Sequence, residues 1–369
     1  MKSLSILFLG LVAFVAGSAT AATTGIPTKT QQYQFQSYGD GISIALSEAD
    51  IPDLQATSVL VKMHAVSLNH RDLSMLDGQS RSTAEQLAGI VPVSDGAGEV
   101  IAIGSSVTEF QVGDRVMTAF FENWLEGDLT PIARATVRGN PANGVLSKFL
   151  VSPETGLIKI PDHLSYTEAS TLPCAALTAW NGLFKFTALK PDQYALLEGT
   201  GGVSIFGLQF AYAIGARPII TSSSDEKLMR AQGLGAFGTV NYRKHADWEQ
   251  QVRTLSAGHG VNSVLEVIGE ATIAKAFASL APNGHIAIIG GLSGARSTEF
   301  TPEAIQNKGF RATQFLVGSL SDFEKMNEFI VEHQLHPIVD REFTFEQANE
   351  AFAFMRSGEH FGKIVIRID

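Results

Sequence analysis

The chain has 369 residues, 45% of them hydrophobic and 17% charged, with a formal net charge of −10. That length holds about two domains of roughly 150 residues, and the composition supplies a core and excludes a disordered chain. The acidic balance, with no Lys/Arg run, excludes nucleic acid and anionic membrane surfaces as expected partners. The single cysteine, Cys174, excludes an intramolecular disulfide and a multi-cysteine zinc site.

In chain order, the first segment is a leader. Lys2 precedes an apolar run from Leu4 to Val15, and Ala19-Thr20-Ala21 fits an A-x-A cleavage site. Residues 1–21 therefore read as a secretory signal peptide, and the run is too short for a membrane span, which takes about 20 residues. Export to a secreted or periplasmic location is expected if the leader works, and a cytoplasmic one otherwise. From 26 to 163 short alternating runs and turn residues predict a β-rich barrel. "SVLVKMHAVSLN" (Ser58 to Asn69) reads as one strand, and "GEVIAIGSSVTEFQVGDRVM" (Gly98 to Met117) as two more. From 164 to 318 helical periods alternate with the apolar runs "YALLEG", "RPIITSS", "GTVNY", "SVLEVIG", "HIAIIGG" and "ATQFLVG". This alternation predicts a parallel sheet with helical crossovers, an α/β doubly wound fold. Residues 319–369 add two helices, "DFEKMNEFIVEHQ" and "FEQANEAFAFMRSG", and a last strand, "GKIVIRI".

Gly199, Gly201 and Gly202 fall between the strand "YALLEG" and the helix that starts near Val203. Glycines there permit a tight turn and let backbone N–H groups approach a pyrophosphate. The helix N-terminus aims its partial positive charge at the same anion. Ser204 stands where the dinucleotide fingerprint G-x-G-x-x-G has its third glycine. A plain structural turn is the bland alternative; the four βα units downstream favour a dinucleotide.

The next strand ends in serines. An NAD site places Asp or Glu there for the ribose 2′-hydroxyl, whereas Ser222 and Ser223 can donate to a 2′-phosphate and Lys227 can supply the counter-charge. Each charge-assisted hydrogen bond is worth roughly 1.5–3 kcal/mol, so two give roughly a hundredfold preference for NADP(H) over NAD(H). The competing reading makes the serines helix caps and leaves Lys227 solvated.

Across nearly all the chain after the leader, the sequence resembles the medium-chain dehydrogenase/reductase superfamily, on its zinc-free, quinone-oxidoreductase-like side. The matching motifs are "SLNHRDLSMLDGQ", "VPVSDGAGEVIAIGSSVTEFQVGDRV", "TLPCAALTAWNGL", "GTGGVSIFGLQ", "SSSDEKL", "LGAFGTVNYR" and "HFGKIVI". The resemblance implies a GroES-like β-barrel domain (26–163), a Rossmann cofactor domain (164–318) and a C-terminal return to the barrel (319–369). It also implies hydride transfer with NADP(H) in the cleft between the two. Where zinc-dependent members carry Cys, His-Glu and Cys, this chain has Asn69, Ser94-Asp95 and Cys174. One ligand of three is too few for catalytic zinc, and the loop "FFENWLEGD" lacks structural cysteines. No metal is expected. Cys174 reads as an apolar filler or a nucleophile.

Without a Lewis acid, a quinone or α,β-unsaturated carbonyl is the favoured electrophile, because neutral donors in a dry site can hold the spread negative charge. A zinc-free alcohol or aldehyde oxidoreductase and a non-catalytic NADPH-binding protein are the alternatives. The resemblance puts Asn69 at the cleft as the candidate catalytic polar group, although it can equally stabilise its own turn. Phe120, Phe121 and Trp124 are candidates for the substrate pocket or for core packing. By the same resemblance, Thr178 sits at the nicotinamide end, and Gly201, Gly202 and Val203 lie at the pyrophosphate. Ser223, Lys227 and Tyr242 form the 2′-phosphate pocket. Gly290 and Leu292 flank the nicotinamide, and Phe315 and Val317 lie on the strand that often pairs dimers. Gly362 and Lys363 return near the cofactor. A homodimer through the Rossmann edge is the implied assembly.

Overall fold

The computed structural model describes residues 25–38, 41–292, 301–307 and 309–368. The leader reading lies outside these residues. Among them, no helix is long and apolar enough to cross a membrane.

A hairpin of β1 (Lys29–Tyr38) and β2 (Gly41–Asp50) precedes the barrel sheet. That sheet runs β14–β15–β3–β4–β5–β7, with β6 paired to β3. Its members are β3 (Ser58–Ser67), β4 (Asp95–Ile103), β5 (Arg115–Thr118), β6 (Phe149–Pro153), β7 (Leu157–Lys159), β14 (Val339–Thr344) and β15 (Lys363–Arg367). β3 is buried along most of its length because β4, β6 and β15 all pack around it. β15 pairs antiparallel with β3, so the end of the chain is built into the first domain. β14 was not anticipated. Its sequence "VDREFT" is half charged and only partly buried, so it carries no apolar run to signal a strand.

The second sheet is the doubly wound α/β layer. Its order is β10–β9–β8–β11–β12–β13, all parallel. The strands are β8 (Tyr194–Glu198), β9 (Arg217–Ser222), β10 (Gly238–Asn241), β11 (Val261–Glu266), β12 (Leu280–Ile288) and β13 (Arg311–Gln314). β8 is central, and helices cover both faces of the sheet. Its run "YALLE" is therefore apolar until the last residue, as parallel strands covered on both faces require. The order of connection reverses between β8 and β11, and in such sheets a crevice opens at that switch point.

The helix Gly202–Ala213 packs tightly on this sheet. A Cβ on Gly207 would lie 2.9 Å from side-chain carbons of both Leu197 and Leu265. Ser204, the residue that departs from the fingerprint, donates its hydroxyl to the Glu198 carbonyl at 2.6 Å and is buried. The serine thus ties helix to strand where a glycine would only have allowed closeness.

Candidate active site

The switch point opens into a cleft of about 740 Å³ between the two sheets. One wall is formed by the turns after β8, β9, β11 and β12; the other by the loop and helix after β3, with Phe120 and the residues around Gly362.

On the first wall, Gly199 has φ +74°, a left-handed conformation that glycine adopts without a Cβ penalty. Gly201 caps the helix Gly202–Ala213 and pairs with Gly362, whose N–H donates to the Thr200 carbonyl at 2.9 Å. The C-terminal segment thereby braces the turn. A Cβ on Gly202 would lie 2.7 Å from Lys363 Cδ and 3.1 Å from Ala175 Cβ, so the turn sits directly on the lysine stem. The Gly199 N–H donates to Thr221 Oγ1 at 3.3 Å, and the N-terminus of the helix Gly202–Ala213 makes this end an anion cradle.

After β9, the helix Asp225–Gly233 is capped by Ser224, whose Oγ accepts from the Lys227 N–H at 3.3 Å. Ser222, whose Oγ accepts from the Ser224 N–H at 3.3 Å, and Ser223 line the cleft with Lys227 and the half-exposed Tyr242. Asp225, at the start of that helix, is committed to Lys244 (2.5 Å) and Asn241 (2.7 Å). Lys227 Nζ donates to the Gly358 carbonyl at 2.7 Å, which fixes the ammonium at the rim.

The second wall rests on buried charge. Lys363 is 3% exposed, and its Nζ donates to the Leu68 carbonyl (2.7 Å) and to Asn69 Oδ1 (2.6 Å). It turns inward, beneath the glycine turn, instead of out toward solvent. Burial lowers its pKa; the charges of Asp95 and Asp72 oppose that. Asp95 accepts from Ser94 Oγ (2.6 Å) and from the Cys174 N–H (3.0 Å). Burial raises the Asp95 pKa, while Lys363, Ser94 and the Asn69 amide hold it down. Asp72 accepts from the Asn69 N–H at 2.8 Å, and burial above all pushes its pKa up to about 6. The Cys174 thiol is driven far up, by burial first and by Asp95 second, so it stays protonated and is no nucleophile. Asn69 is 8% exposed and begins the helix His70–Leu76. With Oδ1 taken by Lys363, its buried Nδ2 lies near Asp95 without completing a hydrogen bond.

The structure brings Asn69, Thr178, Gly199, Gly201, Gly202 and Val203 into this one cleft with Ser223, Lys227, Tyr242, Gly290 and Leu292. Phe315, Val317, Gly362 and Lys363 complete the group. Val317 adopts φ +47°, uncommon for a β-branched residue, and Asn181 Nδ2 holds its carbonyl at 2.8 Å. Of the three aromatic candidates, only Phe120 lines the cleft. Phe121, 2% exposed, and Trp124 pack edge-on against each other at 5.1 Å in the core, and Trp124 Nε1 donates to the Gly127 carbonyl. That expectation is corrected: an aromatic pair two or three residues apart in a loop cannot be assigned to one side from sequence. Sequence reasoning also missed Glu198, His70, Arg71 and His360 on the cleft walls. His360 is held neutral, its pKa lowered to about 4 chiefly by burial. Only Glu198 carried a signal, a carboxylate ending an otherwise apolar strand.

Two family models match in tandem: an alcohol dehydrogenase GroES-like domain over residues 55–162 and a zinc-binding dehydrogenase domain over 202–332. A zinc-type alcohol dehydrogenase-like protein of Schizosaccharomyces pombe is 41% identical over 87% of this chain and 94% of its own length. A crystal structure from Sinorhizobium meliloti 1021, described as an alcohol dehydrogenase, superposes with a TM-score of 0.85 at 35% identity, covering 93% of this chain and all of its own. A chloroplastic NADPH-dependent alkenal/one oxidoreductase of Arabidopsis thaliana is 27% identical over 94% of this chain and 81% of its own length. The chain belongs to the medium-chain dehydrogenase/reductase superfamily. It is an oxidoreductase of that family, which binds nicotinamide cofactors.

Proposed function

We propose that the protein reduces a quinone or an α,β-unsaturated carbonyl with NADPH and does so without a catalytic zinc. The observation that carries this reading is the Lys363 ammonium, buried between Asn69 and the Asp95–Cys174 pair. These residues do not fit zinc. Asn69 Oδ1 is taken by the lysine and Ser94 Oγ is spent on Asp95, which leaves Cys174 as the one ligand of the three positions, whereas zinc needs three protein ligands. Among the described residues, no group of three His, Cys, Asp or Glu is arranged to hold a metal. Bound NADPH supplies the hydride.

In this reading the chain's own groups orient and hold charge. Lys363 fixes and polarises the Asn69 amide; Nδ2, which lies beside Asp95 in the free protein, turns in this reading to donate to the oxygen on which charge develops. Phe120 supplies an apolar wall that excludes water. Ser223, Lys227 and Tyr242 support NADP(H) over NAD(H), and the name of the Arabidopsis relative points the same way. The alcohol dehydrogenase descriptions of the other two relatives favour a second reading, an alcohol or aldehyde oxidoreductase on the same cleft.

A coupled NADPH-oxidation panel separates the readings. We expect turnover of enones, enals or quinones to exceed that of simple aldehydes by at least an order of magnitude. Preference for simple aldehydes, or for alcohols with NADP⁺, would favour the second reading. Tight NADPH binding with no turnover of any class would leave a nucleotide-binding protein.

A further inference from the structure

Two carboxyl groups meet at the base of the cleft wall, Glu198 lining it and Glu266 behind, and hydride transfer uses neither. Glu198 ends β8 and Glu266 ends β11. The register Leu197↔Leu265 sets them side by side on adjacent parallel strands, which lie about 4.8 Å apart. Both are withdrawn from water, Glu198 at 2% and Glu266 at 0% exposure. Their surroundings differ. Glu266 Oε1 accepts from the N–H groups of Ile268 and Gly269, both at 2.8 Å, and from the Thr272 hydroxyl at 3.1 Å. Neither oxygen of Glu198 completes a hydrogen bond, although the Val267 and Ile268 N–H groups face it and favour its charged form less than burial and Glu266 oppose it, and its side chain lies on the cleft wall between the Gly199 turn and Val267.

Two carboxylates in contact and out of water cannot both ionise; one holds a proton. Glu266 has three donors that favour its charged form, so the proton belongs on Glu198. There it satisfies the unpartnered carboxyl and is shared with Glu266. Burial and then the Glu266 charge both act to keep it on Glu198.

We propose that Glu198 and Glu266 share one proton and that this proton is a condition of nucleotide binding. With it, the base of the cleft wall carries one negative charge beneath the phosphates of the dinucleotide; without it, two. The inference rests on the reading that a dinucleotide occupies this cleft. Reciprocity then requires that the nucleotide tighten the pair's hold on its proton. The elements packed around Glu198 bring it no neutralising charge. Thr221 on β9, Ser204 on the covering helix and Thr272 beyond β11 present hydroxyls, and Glu266 is the leading charge. Lys227, His360, His70, Arg71 and Lys363 lie elsewhere on the cleft walls and set a background common to wild type and variant.

The test is the dissociation constant of NADPH and of NADH from about pH 6 to about pH 10, for wild type and Glu198→Gln. Calorimetry in buffers of different ionisation enthalpy counts the protons taken up. Above the pH at which the free pair loses its proton, wild-type Kd should rise about tenfold per pH unit, with uptake approaching one proton per nucleotide. Glu198→Gln, an amide that donates to Glu266 at every pH, should abolish both. NADH should show the same difference, which removes the 2′-phosphate and its partner Lys227 as the source. A variant that keeps the wild-type slope and uptake overturns the proposal, as does a wild type that binds nucleotide with neither. Failure of both nucleotides to bind at any pH would instead sink the dinucleotide reading itself. Should the variant fail to fold, infrared difference spectra of the wild type decide. NADPH added in alkaline buffer should raise the carbonyl stretch of a protonated carboxyl, and its absence contradicts the proposal.

Discussion

In the turns that follow β8 and β9, beyond Glu198, the cleft wall is backbone and hydroxyl. Across from it, around Lys363, the wall stands on an ammonium and two carboxyls withdrawn from water. The first region needs only a turn, a helix N-terminus and small side chains, so single substitutions there change affinity by the strength of a hydrogen bond or two. The second has no such tolerance. Removing the buried Lys363 ammonium would leave Asp95 and Asp72 without their neighbouring cation, a cost of up to about 3–5 kcal/mol, while a lost neutral hydrogen bond costs about 1 kcal/mol. Lys363 belongs to both regions. Its stem supports Gly202 and its ammonium orients Asn69, so the glycine turn and the Asn69 side of the cleft are mechanically one unit.

The comparison is broken most directly at Lys363. Lys363→Met should lower kcat/KM by roughly 10³-fold, the equivalent of about 4 kcal/mol, with NADPH affinity changed far less because the methionine stem still carries the glycine turn. Loss of nucleotide affinity with normal kcat would confine the lysine to the first region. Next in size, Asn69→Ala should reduce kcat by about 10²-fold with little change in KM for NADPH, as expected of a donor used as charge develops; steady-state kinetics with an enone reads this split. On the other wall, Ser223→Asp should weaken NADPH binding by about 30- to 100-fold and NADH binding far less. Equal losses by fluorescence titration would displace the 2′-phosphate from this serine.

The smallest effect concerns stability. Burial and Glu266 raise the Glu198 pKa above the ordinary carboxylate value of 4.5. A carboxyl whose folded pKa is raised contributes fully at a pH below its unfolded value, and the contribution is lost as pH rises toward the folded value. Glu198→Gln has no proton to lose. Its melting temperature should therefore exceed that of wild type by about 2 °C or more once the pH is well above 4.5. The gap should close in acid. A gap independent of pH would mean that the pair does not titrate in this way.

The two walls were also unequally legible. The glycine turn announces itself, because Gly199, Gly201 and Gly202 stand at fixed offsets between an apolar strand and a helix. The serines after β9 are read by their place in the same pattern. The charged wall gives no local signal. Asp72, Asp95 and Lys363 are separated by up to almost three hundred residues, and each alone reads as an ordinary surface charge. Only the return of β15 to β3 brings Lys363 to Asn69. The Phe121–Trp124 pair failed for the complementary reason: the side on which a loop aromatic falls is set by tertiary packing. β14 went unseen because half of its residues are charged and its neighbour β15, not its own pattern, holds it.

The central claim is that the fixed cation of the site is Lys363 and that no zinc takes part. It is tested by turnover of an enone with NADPH, using protein stripped by chelator and checked for metal content, before and after zinc is added back. The account predicts full kcat in the stripped protein and no gain from zinc. Activity that disappears on stripping and returns with one zinc per chain would contradict it.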